Sequence, residues 1–545
     1  MANHITNEVS PQSTNIQGAG LDEKTADVTT ISQPSPAYYE GPAWKRWLVD
    51  LQASAGFGEK KQTTTIYQPR TVPTESNSAS ARFWKFFKFL GPGAIISVAY
   101  VDPDNYQTAI SSGGSFQYKL LFMVLVSNLI AIYIQSLCVK LGTVTGMDLA
   151  QMNHRWLPRW LELIIYVVAE ASIIATDLGQ VIGTAIALNI LIPQLPLPAA
   201  CVISVAETLL VLLFYTPQGE LRRIRLFEVF VFLLVVVVFV TICVALSMVT
   251  GSARDIFRGY VPSREIFVDT GLYESCAILG GTLMPHALYV GTALTRARLY
   301  DYDSKRELTR EQRIENSSPA SSSETLNYRP SLRAIKSCLG YSIAELTFTL
   351  FIVAVFVNSA LVIIAGAAFY DPDGGEDSEV SSDLYDLYNL FSDTIAPAAG
   401  KMFAVSLLFS GISSGIVATM AGQIVMEGAL NIRINPFLRR LLTRCVAIIP
   451  ALIIAVSLGS EGLAKAMIAC NYLLAIALIP ITFPIIWYTG LNKYMQVPSD
   501  DGTSMVSLKN NMLTAGVAWI LWLLVVVMDV ATVVLVGLGV TEDDG

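Results

Sequence analysis

Long apolar runs are the feature that most restricts how this chain can fold. The runs at 120–139, 197–215, 226–248 and 513–536 approach or exceed the roughly 20 residues that cross a bilayer as a helix. Inside a bilayer the backbone must satisfy its own polar groups, so only helices and closed barrels can span it, and barrel strands lack such runs. The sequence therefore predicts an all-α integral membrane protein surrounded by lipid.

Composition supports this class and argues against others. Hydrophobic residues make up 53% of the 545 residues and charged residues only 15%, against roughly 25% charged in an ordinary soluble chain. The net charge of −8 lies largely in one acidic loop, and nucleic acid is not an expected partner. The seven cysteines contain no CxxC pair, so no disulfide framework is expected. Phosphate-binding glycine loops and HExxH are absent, so we predict neither an enzyme nor a bound cofactor.

The chain divides into a polar tail and a transmembrane domain. Residues 1–82 are rich in Ser, Thr, Gln, Asn and Pro and are predicted to be disordered. The domain at 83–540 is predicted to contain a first half (83–250), a second half (271–488) and an additional helix (512–538). Eleven spans are predicted in all: 83–107, 119–141, 160–192, 197–215, 225–250, 271–297, 337–369, 396–428, 438–458, 463–488 and 512–538.

Basic residues in the short loops set the predicted orientation. Lys and Arg favour the cytoplasmic side, which places the amino terminus inside and the following residues in cytoplasmic loops: Arg155, Arg159, Arg222, Arg223, Arg225, Arg433, Arg439, Arg440, Arg444 and the stretch 296–336. The outer loop at 254–264 is an exception with three arginines. The sequence leaves open whether the plasma membrane or an endosomal or vacuolar membrane hosts the protein. The tail is either plainly solvated or a target for ubiquitin-type regulation through Lys24, Lys45, Lys60 and Lys61.

One outer loop, after the seventh predicted span, is strongly acidic and contains no basic residue. It is either a strip that concentrates cations near an outer vestibule or a solvated loop without a function. Its acids are Asp371, Asp373, Glu376, Asp377, Glu379, Asp383 and Asp386.

The first and sixth spans depart from a plain helix. The first contains Gly91-Pro92-Gly93 and then Asp102-Pro103-Asp104-Asn105, and the sixth contains Gly280-Gly281-Thr282-Leu283-Met284-Pro285-His286. Proline removes a backbone donor and glycine weakens a helix, so both spans should be interrupted. Interrupted spans at corresponding positions of two five-helix halves indicate an inverted-repeat transporter with its site where the breaks meet.

The breaks also contain residues able to bind a metal ion. His286 lies near the middle of its span, where a charged side chain costs roughly 2.5–3.5 kcal/mol on insertion scales, which favours a functional role over a structural one. Asp102 either belongs to the site or lies in an exit loop, since 83–101 is already long enough to cross. Oxygen ligands alone would suit Mg²⁺ or Ca²⁺, whereas the thioether of Met284 favours softer transition metals unless this side chain is only packing.

Six stretches give the chain a specific resemblance to the Nramp (natural resistance-associated macrophage protein) family of metal transporters, in particular its fungal manganese transporters. They are GPGAIISVAYVDPDN at 91–105, SNLIAIYIQSLCVKLGTVTGMDLA at 127–150, ATDLGQVIGTAIALN at 175–189, GGTLMPHALYVGTAL at 280–294, TMAGQIVMEG at 419–428 and RRLLTRCVAIIPAL at 439–452. The resemblance covers 85–490 and fades in the tail and the last span.

The resemblance implies a LeuT-type fold, with spans one to five and six to ten as inverted repeats and an eleventh added. It implies secondary active transport of divalent transition-metal ions, Mn²⁺ first and also Fe²⁺, Cd²⁺ and Co²⁺, coupled to protons. The implied metal ligands are Asp102, Asn105, the Gly281 carbonyl, the Met284 sulfur and Asn471. The residues implied for the proton route are His286, Asp177, Arg439 and Arg440.

Four positions depart from the family pattern. The family has glycine at Asp104, glutamate at Gln180 and glutamine at Asn471, and its SGQS motif reads Ser410-Gly411-Ile412-Ser413 here. Asp104 either joins the proton route, partly replacing the glutamate absent at Gln180, or points into the outer vestibule and only attracts cations. The alternatives to a metal and proton symporter are therefore the same fold with Mg²⁺ or broader selectivity, weak proton coupling, or a sensor that does not transport.

Overall fold

The computed structural model describes residues 92–212, 221–249, 251–267, 269–307, 329–370, 383–394, 397–430, 436–499 and 504–537. The predicted tail at 1–82 lies outside the described residues. The helices of the first half are α1 (Pro92–Val98), α2 (Pro103–Phe116), α3 (Leu121–Thr145), α4 (Leu149–Trp156), α5 (Arg159–Leu191), α6 (Leu197–Leu212), α7 (Leu221–Met248) and α8 (Ala253–Gly259).

A 3₁₀ turn at Arg264–Phe267 leads into the second half, and a π turn at Phe351–Val355 joins α12 to α13. The remaining elements are α9 (Asp269–Thr282), α10 (Pro285–Ala293), α11 (Thr295–Glu307), α12 (Leu332–Leu350), α13 (Phe356–Ala368), α14 (Leu384–Thr394), α15 (Pro397–Leu430), α16 (Pro436–Ser457), α17 (Gly459–Gly490), β1 (Gln496–Pro498), β2 (Met505–Ser507) and α18 (Met512–Gly537). The two strands pair antiparallel as a small hairpin between α17 and α18.

Each of the eleven predicted spans contains helix within the described part of the chain. Six helical segments there meet strict length and hydropathy limits for a membrane span: 121–145, 270–300, 332–368, 397–430, 459–490 and 512–535. The prediction for the first span was wrong at its end, because helix resumes at Pro103 and continues to Phe116 instead of stopping at 107. Asp102 therefore lies inside the span and not in an exit loop.

Proline placement explains both interruptions. An α-helical carbonyl accepts from the N–H four residues later, and proline has none to give. Pro103 therefore leaves the Ala99 carbonyl without its helical donor, and Pro285 does the same to the Gly281 carbonyl. In the first break the backbone tightens into i to i+3 bonds from Ala99 to Val101 before α2 begins.

The broken spans lie at the centre of the described structure. In the apolar segment of the sixth span 89% of residues are buried in protein, against 22% in the last span. The long helix α5 contacts α15, α16, α17 and α2, while α9 packs on α17 and α2. The outward faces of α16 and α18 expose large apolar side chains, as lipid contact requires. All seven cysteines are free, which agrees with the prediction of no disulfide framework.

Candidate functional site

Asp102 holds the first break in place by capping α2. Its backbone is extended, and its Oδ1 accepts a hydrogen bond from the Asn105 backbone N–H at 3.0 Å. This is the arrangement expected of an N-cap aspartate. The side chain is fully buried, and its second oxygen, Oδ2, has no hydrogen-bond partner among the described residues. One carboxylate oxygen thus fixes the turn while the other remains available.

Two neighbouring contacts stabilise the unwound segment. The Ser410 hydroxyl on α15 donates to the Val101 carbonyl at 2.7 Å, so the serine of the altered SGQS motif satisfies a carbonyl of the break. The Asn105 side-chain amide donates to the Tyr100 carbonyl at 3.2 Å. That bond engages the nitrogen of Asn105 and leaves its side-chain oxygen facing the second break.

Asn105, Gly281 and Asn471 meet at one point. A Cβ on Gly281 would lie 2.5 Å from Asn105 Oδ1 and 2.9 Å from Asn471 Nδ2. Only glycine allows this approach without movement of both amides. Asn471 is fully buried; its Nδ2 donates to the Thr108 hydroxyl at 2.8 Å, and its Oδ1 has no partner among the described residues.

Met284 and His286 lie at the second break. Met284 is the N-cap residue of α10, makes no side-chain cap bond and is fully buried. His286, two residues later, is also buried, and its Nδ1 lies 3.3 Å from the Thr176 hydroxyl on α5. The histidine therefore links the second break to the helix that carries Asp177.

The donor set suits a cation. Asp102 Oδ2 and Asn471 Oδ1 are buried acceptors that lack a partner in the described part of the structure, and an acceptor in that state costs free energy until a donor or cation arrives. No cluster of three His, Cys, Asp or Glu side chains occurs among the described residues. Any metal bound here would therefore be held mainly by amide, carbonyl and thioether groups around one or two carboxylates.

Asp104 faces the long helix α5 rather than water. It is fully buried, its carboxylate rests against Gly179, and neither oxygen has a hydrogen-bond partner within the described ranges. Pro103 packs on Gly183 one turn further along α5. In this structure Asp104 is therefore buried against α5 and is not exposed to solvent.

Sequence reasoning missed Arg444, which it assigned to a cytoplasmic loop. The side chain lies buried on α16, where Nη2 donates to Gln180 Oε1 at 3.0 Å and Nη1 to the Asp177 carbonyl at 3.3 Å. The signal was available, since Arg444 falls inside the predicted span at 438–458 and an ionisable residue within a span is functional by default.

A second missed residue, Glu170, pairs with Arg439. Arg439 Nη2 lies 2.6 Å from Glu170 Oε1, and the guanidinium covers the backbone of Gly422 on α15. Glu170 lies about two helical turns before Asp177 on α5, so these two acids lie on the same side of that helix. The side chain of Arg440 lies outside the described residues.

The acidic loop after the seventh predicted span is described only at its end. Asp383 Oδ1 accepts from the backbone N–H groups of Tyr385 and Asp386, and Asp386 Oδ2 accepts from that of Asp383. These two acids therefore cap α14, and burial raises the pKa of Asp383. The five acids at 371–379 lie outside the described residues.

This chain is similar to known proteins over most of its length. The family model described as natural resistance-associated macrophage protein-like matches residues 93–535. The manganese transporter pdt1 of Schizosaccharomyces pombe is 42% identical over 478 residues, covering 85% of this chain and 89% of that protein. The iron transporter SMF3 of Saccharomyces cerevisiae is 42% identical over 423 residues, covering 77% and 85%.

A solved structure shows the same fold. The crystal structure of the Eremococcus coleocola manganese transporter in complex with an aromatic bis-isothiourea substituted compound has a TM-score of 0.66 and 28% identity, covering 86% of this chain and 89% of that one. Together with the interrupted first and sixth spans, this confirms the predicted all-α, LeuT-type membrane fold.

Proposed function

The chain belongs to the natural resistance-associated macrophage protein (Nramp) family of divalent-metal transporters, and from that premise we propose that it carries Mn²⁺ across the membrane together with protons. It is an integral, multi-pass transporter and not an enzyme. The observation that carries the proposal is the pair of buried acceptors, Asp102 Oδ2 and Asn471 Oδ1, left without partners beside two helix breaks.

In the proposed site, Asp102 supplies the charge and Asn105 and Asn471 supply amide oxygens. The Gly281 carbonyl contributes because Pro285 has removed its helical donor. The Ala99 carbonyl is in the same position relative to Pro103, and we add it to the candidate ligands. Met284 supplies the sulfur. Mn²⁺ accepts carboxylate and carbonyl oxygens, while a thioether extends the range toward softer ions.

The choice of Mn²⁺ over Fe²⁺ rests on the relatives. Three similar fungal proteins are named as manganese transporters and one as an iron transporter. Fe²⁺, Co²⁺ and Cd²⁺ are the expected further substrates, because one sulfur and several neutral oxygens discriminate weakly among them. Mg²⁺ is disfavoured, since it demands an octahedron of hard oxygens and loses its water reluctantly.

The proposed proton route follows α5. It begins at His286, whose imidazole touches Thr176, and passes Asp177 and then the ion pair of Glu170 with Arg439. Arg440 and Asp104 complete the proposed set. Gln180 replaces the family glutamate and accepts from Arg444 through its amide oxygen, so this chain has one titratable group fewer in that segment.

Location and regulation extend the proposal beyond the site. The loop charges support a cytoplasmic amino terminus in a plasma, endosomal or vacuolar membrane. The lysines at 24, 45, 60 and 61 remain candidate ubiquitin acceptors in the tail.

Transport in proteoliposomes tests the function. Purified protein is reconstituted with a pH dye inside, and Mn²⁺ is added outside at an inward proton gradient. We expect saturable Mn²⁺ entry with internal acidification, and neither in Asp102→Asn, which keeps the capping oxygen but loses the charge. Mn²⁺ entry without acidification would favour the weakly coupled alternative, and an absence of both in the unaltered protein would exclude the proposal.

A further inference from the structure

The last span contains a buried acid that the metal site and proton route do not use. Asp529 lies on α18, outside the ten spans of the inverted repeat, and its side chain is fully buried. Ala518, Val525 and Thr532 share this buried face of an otherwise lipid-exposed helix. Neither oxygen of Asp529 has a hydrogen-bond partner among the described residues. An acid inside a span indicates function by default.

The surroundings of Asp529 come from two helices of the transport core. Cys276 on α9 lies 2.9 Å from the Thr532 hydroxyl, one turn beyond Asp529, and interacts electrostatically with the Asp529 carboxylate. Tyr472 on α17 interacts electrostatically with both groups, and its hydroxyl has no partner among the described residues. Tyr273 packs against Tyr472 with ring centroids 5.3 Å apart and the ring planes tilted by 41°.

Within the described ranges, no basic side chain forms an ion pair or hydrogen bond with this acid. Three helices in the described part of the chain make the main contacts with α18, namely α3, α9 and α17. Towards Asp529, α9 presents Cys276 and α17 presents Tyr472. The Tyr133 hydroxyl of α3 donates to the Thr514 carbonyl, which lies about four turns from Asp529 along α18. An ionised carboxylate there would cost several kcal/mol, so the closed junction requires a neutralising cation.

We propose that Asp529 is a proton-binding site on the eleventh span, formed with Cys276 and Tyr472 at the junction of α9, α17 and α18. A proton needs no coordination shell, whereas a metal ion would find one carboxylate, one thiol and one phenol. Loss of the proton places a charge against α9, the first part of the broken sixth span. The charge state of Asp529 therefore biases the packing of α9, and through it the pH dependence of transport; this last link rests on the proposed proton-coupled function.

Infrared spectroscopy tests the site without transport. Metal-free protein in lipid is titrated with pH while the C=O stretch of protonated carboxylic acids is recorded. The difference between unaltered protein and Asp529→Asn should contain one acid band that disappears as pH rises. Thr532→Val, which keeps the acid, and Asp529→Glu, which restores one, should retain a band. Size-exclusion chromatography checks that the variants fold.

Mn²⁺ uptake by the same variants tests the consequence. Asp529→Asn should change the pH profile of uptake, while Asp529→Glu and Thr532→Val should keep the original form. Identical acid bands or an identical pH profile in Asp529→Asn would overturn the proposal, as would a band that responds to Cd²⁺ and not to pH. Failure of the proposed function is distinct from this, because the unaltered protein would then show either no Mn²⁺ uptake or uptake without acidification, while the infrared titration needs neither.

Discussion

The two helix breaks are built by the same device but equipped differently. In each break a proline, Pro103 or Pro285, occupies the first position of the resuming helix. Because proline has no N–H, the carbonyl four residues earlier lacks its helical donor. The first break is capped by a carboxylate that bonds the backbone. The second is capped by Met284, which makes no cap bond. The two breaks thus share their backbone geometry, but the first carries a charged carboxylate and the second a polarisable sulfur.

This difference assigns separate tasks to the two breaks. The charged first break should determine whether a divalent cation binds at all, because charge dominates binding in a closed site. The sulfur of the second break should determine which divalent cation is preferred. Variants of each break can test that division.

The largest effect is expected from Asp102. Asp102→Ala and Asp102→Asn should both abolish saturable Mn²⁺ uptake, a loss of at least about 100-fold, since even indirect supports of a metal site are worth 10–100-fold. Asparagine caps a helix as well as aspartate does, so only the alanine variant should also lose about 1 kcal/mol of stability. Thermal unfolding in detergent separates the two effects. Saturable uptake by either variant would refute the assignment.

Gly281→Ala should be the next most damaging change. Its Cβ would lie 2.5 Å from Asn105 Oδ1, so Asn105 and Asn471 must move from the point where they meet. Mn²⁺ affinity should fall by about 10–100-fold. Gly340→Ala on α12 is the matched control, because a Cβ there meets nothing within 4 Å. Equal affinities in both variants, measured by isothermal titration, would remove Gly281 from the site.

Met284→Ala should alter selectivity more than rate. Cd²⁺ uptake should fall on the order of tenfold relative to Mn²⁺ uptake, and Ca²⁺ or Mg²⁺ should enter more readily, because the thioether favours softer ions. Parallel uptake of Mn²⁺, Cd²⁺ and Ca²⁺ provides the measurement. An unchanged order of preference would mean that Met284 only packs, and the division between the breaks would fail.

The smallest effect on rate is expected from Asp104→Gly, which restores the family residue at the first break. If Asp104 takes part in the proton route, the variant should still bind Mn²⁺ and show a changed pH dependence of uptake. If it only attracts cations, the loss should grow at low salt and the pH profile should stay fixed. Its burial against Gly179 leads us to expect the first result.

The sequence by itself determined the class and the two breaks. Apolar runs and prolines act locally, through hydration of the chain and loss of a backbone donor, so they can be recognised without knowing what lies nearby. The same locality left Asp102 open between the site and an exit loop, because 83–101 is already long enough to cross a bilayer, whereas in the structure helix resumes at Pro103. Family motifs then identified Asn105, Gly281 and Asn471 as candidates.

Only the tertiary structure decided which of these groups meet and which way they face. Asn105 and Asn471 are 366 positions apart in the chain and meet because Gly281 lets α9 approach α17. Arg444 resembled a cytoplasmic loop charge until α16 packed on α5 and buried it beside Gln180. Asp104 could equally have faced water until the glycines of α5 admitted it. Each outcome depends on close packing between distant segments, which composition and local pattern do not encode.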